Sequence, residues 1–321
     1  MRYPWLESSW TTLKNHYQQR RLPHALIITG IKGLGKRYLG EKLAQLILCE
    51  MNVSEPCGTC RQCHLFEVQS HPDYKVVEPE ESSKTIKIEQ IRELIDTLNQ
   101  TPLVATSQVV LINPLESLTL KAANALLKTL EEPLGSVFFI LIAHRLTHIP
   151  MTLLSRCQVY PIHAYQNEQT LQWLSEALSC TQSEARVLLR FSHGAPLEAL
   201  ALSKKNIISK RDQLLRIMSY RITGHNPLPD IDVLLKENSD DVFSIMKLIF
   251  SDLRKCQLRV DADKWVNSDA MKQVQQLSAA IMPDQLQLQW DVLERAEKAL
   301  SAGVAINQQM VLEGIIFKEI T

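Results

Sequence analysis

The chain has 321 residues, 45% hydrophobic and 22% charged, which fits a globular protein of two or three domains and excludes a disordered or fibrous one. Lys+Arg and Asp+Glu balance at 35 each, so no overall field draws the chain to nucleic acid or anionic lipid, and any DNA contact is expected to be local or shared with partners. The opening Met1-Arg2-Tyr3-Pro4-Trp5 lacks the apolar core of a signal peptide, and no apolar run reaches the ~18 residues that span a bilayer, so a cytoplasmic location is expected.

Leu6, Trp10, Leu13 and Tyr17 recur at helical spacing and predict an amphipathic helix. After Leu22-Pro23-His24, the apolar run Ala25 to Thr29 predicts a buried strand, and Gly30-Ile31-Lys32-Gly33-Leu34-Gly35-Lys36 leads from it into a helix over Tyr38 to Ala44. This is nearly the P-loop pattern G-x-x-x-x-G-K-[ST], in which backbone N–H groups cradle phosphate, the Lys reaches the outer phosphates and the hydroxyl holds Mg²⁺. Gly30, Gly33, Gly35 and Lys36 are present, but Arg37 stands where the hydroxyl belongs.

Cys49, Cys57, Cys60 and Cys63 follow within fifteen residues. Two C-x-x-C steps share Cys60, and four thiolates can close a tetrahedral shell around one structural Zn²⁺ with no position left for a reactive water. His64 and His71 are possible substitute ligands, but four Cys suffice.

His71-Pro72-Asp73 predicts a turn into a second strand over Tyr74 to Val77, a polar loop follows, and Ile88, Ile91, Leu94 and Ile95 mark a helix. A third strand covers Val109 to Ile112. In a working P-loop ATPase such a strand ends in an Asp that holds Mg²⁺ and a Glu that polarises water. Here Asn113 and Pro114 occupy those places, and Glu116 reads as an exposed loop charge. A helix over Leu118 to Leu130 precedes Glu131-Glu132-Pro133, a fourth strand covers Val137 to Ala143 with His144 after it, and Ser155-Arg156-Cys157 leads into a fifth strand at Gln158 to Ile162. Five apolar strands alternating with helices predict a parallel sheet covered on both faces.

Beyond residue 163 only helical patterns remain: Leu171, Leu174 and Leu178; Leu214, Leu215 and Met218; Val242 to Leu253; Leu286 to Leu300; and Val311 to Phe317. Cys180 and Cys256 stand alone and read as core thiols.

Leu22-Pro23-His24-Ala25, the Cys cluster, His71-Pro72-Asp73, Asn124 to Pro133 and Ser155-Arg156-Cys157 together resemble the clamp-loader branch of the AAA+ proteins. The resemblance implies a five-stranded α/β P-loop-type domain over 1–163 with a zinc-binding module at 49–63, a small helical lid over 164–203 and an all-helical collar over 204–321. It implies a hetero-pentameric ring with ATP at the subunit interfaces, working with a sliding clamp and primed DNA. Arg156 alone would read as a surface charge, but its motif implies an arginine finger reaching a neighbouring ATPase subunit's site. The degenerate loop of Gly30, Gly33, Gly35, Lys36 and Arg37 is expected to bind nucleotide weakly or not at all and to hydrolyse none. His144 replaces a polar sensor, and Leu197 in Gly194-Ala195-Pro196-Leu197 replaces a sensing Arg. Two other readings stay open: a self-sufficient ATPase using Lys36 and Glu116, and a zinc-containing DNA-binding protein.

Overall fold

The computed structural model describes residues 2–51, 54–81, 83–132, 135–164, 167–223, 239–301 and 306–317, with Ile231 and Leu234. Pro133 of the Glu-Glu-Pro motif lies outside them. The chain divides into two compact units, residues 1–170 and 171–321.

The first unit is built on β1 (Ala25–Thr29), β2 (Tyr74–Val77), β3 (Gln108–Ile112), β4 (Val137–Ala143) and β5 (Gln158–Pro161). They form one all-parallel sheet in the order β2-β3-β4-β1-β5. The three central strands are almost wholly buried, as uninterrupted Val/Ile/Leu runs require when both faces of a parallel sheet are covered.

Strand alternation divides the apolar side chains between two layers. Ala25, Ile27, Val110, Ile112, Phe139 and Leu141 face α4 (Ile88–Leu98), α5 (Leu120–Glu131) and α6 (Met151–Leu154), which contribute Ile91, Leu94, Leu126, Leu130 and Leu153 to that core. The opposite face carries α2 (Lys36–Leu48), against which α1 (Glu7–Gln18) packs. At Gly40 α2 lies so close to the sheet that a Cβ would sit 3.1 Å from both Ile140 and Leu111, so a side chain there would make those neighbours give by a few tenths of an ångström. The short α3 (Arg61–Glu67) lies within the Cys module and is capped by the Cys60 sulfur, which accepts from the Cys63 N–H.

His71-Pro72-Asp73 is more than a turn. The buried Asp73 carboxylate accepts the backbone N–H groups of Leu103, Val104 and Ala105 at 2.7–2.8 Å and so ties the loop before β3 to the start of β2. His24 bonds the Leu130 carbonyl at 2.8 Å, joining the entry of β1 to the end of α5.

The second unit is helical among its described residues. Helices α7 (Glu168–Leu178), α8 (Gln182–Phe191) and α9 (Pro196–Lys204) enclose their own small core of Leu171, Leu174, Ala185, Leu188 and Ala199. A larger core unites α10 (Ile207–Thr223), α11 (Ser239–Gln257), α12 (Met271–Ala280), α13 (Pro283–Ser301) and α14 (Gln308–Phe317). A buried polar network fastens the 260–270 loop to these helices. Asp269 pairs bidentately with Arg211 at 2.8 and 2.7 Å, while Asp252, fully buried, accepts the N–H groups of Val266 and Asn267. Arg190 of α8 donates to the Trp265 and Asp263 carbonyls and to Ser268 of that loop.

Candidate functional site

The loop from Gly30 to Lys36 joins β1 to α2, the strand–loop–helix arrangement in which a P-loop holds phosphate. Gly33 and Gly35 adopt φ of 85° and 82°, in the left-handed region that favours glycine. A Cβ on Gly30 would lie 2.4 Å from the Ile162 carbonyl oxygen, so the backbone beyond β5 occupies that space. Trp5 braces the loop from outside by donating from Nε1 to the Leu34 carbonyl at 2.9 Å, and Tyr3 and Leu6 crowd Gly35.

Lys36, only 3% exposed, turns back on its own loop. Its Nζ donates to the carbonyls of Gly30 and Ile31 at 2.5 and 2.7 Å. Burial pushes its pKa down to about 8, against the opposing pull of the Glu116 carboxylate. Glu116 corrects the expectation of an exposed loop charge. Its Oε1 accepts the His144 N–H at 2.8 Å, and its Oε2 is buried without a hydrogen-bond partner. His144 Nδ1 is likewise buried and unpartnered, and burial, then the Lys36 cation, lowers the pKa of this imidazole. Lys36, Glu116 and His144 thus share one electrostatic cluster.

Arg37 and Asn113 meet at a second cluster. Arg37 donates from Nε to Glu41 at 2.8 Å and from Nη1 to Glu78 at 2.7 Å, and Asn113 Nδ2 donates to the same Glu78 oxygen at 2.8 Å. These two positions flank Mg²⁺ in a working P-loop ATPase. A guanidinium already neutralises the Glu78 carboxylate here, and Asn113 turns its amide N–H rather than its oxygen to that carboxylate. Neither Arg37 nor Asn113 brings the hydroxyl or carboxylate by which this motif holds Mg²⁺, so the residues do not fit that ion.

The four cysteines converge. Their sulfurs all lie within 4.8 Å of one another, with Cys49–Cys60 at 4.0 Å and Cys57–Cys63 at 3.9 Å. A tetrahedral Zn²⁺ with Zn–S near 2.3 Å sets sulfur–sulfur separations of about 3.8 Å, so the donor set fits that ion. Backbone N–H groups of Thr59 and Cys60 draw the Cys57 thiol down to about 6, whereas burial raises that of Cys63. Glu55, bonded to Trp10 and paired with Lys42 and Lys14, anchors the module to α1 and α2.

Arg156 lies between α6 and β5 and is bonded to none of the loop residues. Its guanidinium pairs with Glu131, the last residue of α5, and donates from Nη1 to the Thr152 carbonyl at 2.8 Å. Leu197 sits in the first turn of α9 and offers no polar group. Nothing in the sequence pattern signals Glu78, the partnership of Glu131 with Arg156, or the bracing role of Trp5.

Two family models match the chain: one described as DNA polymerase III, delta subunit, over residues 5–166, and one as DNA polymerase III, delta subunit, C terminal, over residues 205–319. A DNA polymerase III subunit delta' from Pseudomonas aeruginosa is 37% identical over 66% of this chain, the match spanning 65% of that protein. Another from Haemophilus influenzae is 32% identical, over 86% of this chain and 84% of its own length. A DNA polymerase III subunit gamma from Buchnera aphidicola is 30% identical over 60% of this chain and 54% of its own length. With family models covering both units and a delta' protein aligned across most of its length, the chain belongs to the delta' family of DNA polymerase III subunits.

Proposed function

We propose that this chain is the non-catalytic stator of the clamp loader that serves DNA polymerase III, supporting ATP-driven loading of a sliding clamp onto primed DNA. Its partners are gamma or tau ATPase subunits and a delta subunit in a hetero-pentamer, with clamp and DNA engaged through the assembly. Residues 1–163 supply the P-loop-type domain, 164–203 the lid and 204–321 the collar. Kinship with delta' and gamma subunits supports the assembly.

One observation carries the non-catalytic reading: both side chains that would serve a nucleotide, Lys36 and Arg37, are already bonded to groups of this chain. Binding a triphosphate would require Lys36 to leave two carbonyls, and no ligand for Mg²⁺ would replace Arg37. Arg156 is the group offered to a neighbour, as a finger acting in trans. The Cys49, Cys57, Cys60 and Cys63 cluster holds a structural zinc, supported by the sulfur separations. The self-sufficient ATPase loses support because Lys36 is bonded to its own loop and Arg37 stands where the Mg²⁺-holding hydroxyl belongs.

The purified chain should turn over no ATP, and turnover that disappears in Lys36→Ala would overturn the reading. Reconstituted with gamma and delta subunits, Arg156→Ala should slow DNA-stimulated hydrolysis, the loss at the one site the finger serves being about 10³-fold or more. An unchanged rate would remove the finger.

A further inference from the structure

We infer that Glu131 is a positioning residue for Arg156, holding one side of the guanidinium so that its other edge is presented to a phosphate of the neighbouring subunit; this rests on the reading of Arg156 as a finger in trans. The two residues are 25 apart in sequence and on separate elements, and they meet only because α5 ends where the chain enters β5.

The donor inventory decides what the contact can do. A guanidinium has five N–H groups, one on Nε and two on each Nη. Nε–H and one Nη2–H point to the same side, and Glu131 Oε1 takes both, the first at 2.5 Å. Thr152 O accepts from Nη1 at 2.8 Å, with Ser155 Oγ a longer 3.4 Å partner. One N–H on Nη2 remains, and the second on Nη1 has only the long 3.4 Å contact to Ser155 Oγ to give up; together they form the end-on fork that matches two phosphate oxygens. Without Glu131 the flexible side chain samples many rotamers, and that freedom is lost again each time a phosphate is engaged.

A surface ion pair of this kind contributes little to folding, so a purely structural Glu131 would leave catalysis untouched. A carboxylate that merely sequestered the finger would inhibit, and its removal would accelerate hydrolysis. The positioning role requires the opposite sign.

The test uses the complex reconstituted with gamma and delta subunits, clamp and primed DNA. Glu131→Ala should lower kcat at the ATP site that Arg156 serves by about tenfold to a hundredfold, the scale of a displaced catalytic group, with KM for ATP and the chain's unfolding midpoint unchanged. Glu131→Gln, which keeps an oxygen acceptor, should recover most of the rate. Glu131→Ala with Arg156→Ala should be no slower than Arg156→Ala alone. If Arg156→Ala slows the complex while Glu131→Ala leaves the rate unchanged, raises it, or adds its loss independently, the positioning role is overturned and the finger stands. If Arg156→Ala itself has no effect, the finger falls and the proposal with it.

Discussion

Arg37 Nη1 and Asn113 Nδ2 donate to one and the same oxygen of Glu78, at 2.7 and 2.8 Å. Two positions that appear in the sequence as separate losses, a missing hydroxyl and a missing carboxylate, are therefore two parts of one arrangement in which the chain supplies its own cation.

Restoring a single position should not restore chemistry. Arg37→Thr returns the hydroxyl but leaves Asn113 uncharged and Lys36 bonded to its own loop, so ATP turnover by the isolated chain should stay at background. Because Arg37 and its acidic partners are half-exposed, the loss in unfolding free energy should be below about 1 kcal/mol. A coupled-enzyme ATPase assay and a urea titration read both, and measurable turnover from this one substitution would sink the idea of a joint arrangement.

Lys36 should leave a signature in the pH dependence of stability. Its folded pKa, about 8, lies below the ordinary 10.5, so between those values the unfolded chain binds the proton and the folded chain does not. Stability therefore rises with pH across that window. The difference in unfolding free energy between the native chain and Lys36→Met should climb from pH 8 to about 10.5 and be flat from pH 7 to 8, where His144, whose pKa the Lys36 cation lowers, is already neutral and groups remote from Lys36 cancel in the subtraction. A difference that is constant from pH 7 to 11 would show that Lys36 is not held as described.

Asp73 tilts stability in the same direction, but in acid. Burial alone would raise its pKa, but the N–H groups of Leu103, Ala105 and Val104 outweigh burial and hold it below the usual aspartate range. Its contribution is complete above the ordinary value near 3.8 and is lost as pH falls through the lower folded value. Asp73→Asn should cost about 1–3 kcal/mol at pH 7, with the gap narrowing only in acid. Equal stabilities at pH 7 would refute the anchoring role.

Metal analysis of freshly purified chain should give one zinc, lost in Cys60→Ser. Stripping the metal should leave the sheet cooperative while amide exchange accelerates first over residues 49–63, because four clustered thiols lose their common counter-charge. Metal-free protein with unaltered exchange there would defeat the assignment.

The three central strands are legible in the chain because each is a short apolar run, β2 and β5 are shorter and carry Lys75 and Gln158, and the structure places all five within a residue of the expected limits. Helix α3 is not legible: Cys63 belongs to the sulfur cluster, and the remaining apolar residues Leu65 and Phe66 are too few to show a period. Among the site residues, type and spacing announce the glycines, Lys36 and the cysteines, but not what Lys36 touches, since a lysine amine satisfies a carbonyl as readily as a phosphate. Glu78, Glu116 and Glu131 acquire their partners from elements 28 to 35 or more residues away or, for Glu131, 25 away, and no local pattern encodes such meetings. The Arg211–Asp269 pair and the Asp252 hub are equally silent, lying in a stretch whose helical periodicity reports only its apolar positions.

Gly30 carries a wider consequence. The space its side chain would fill belongs to the Ile162 carbonyl, a wall of the domain itself. Any residue but glycine would push the end of β5 away from β1, whether or not a nucleotide ever visits. A glycine-rich loop after a buried strand is therefore a record of how tightly two strand ends are joined, and it can outlast the reaction for which such loops are usually sought.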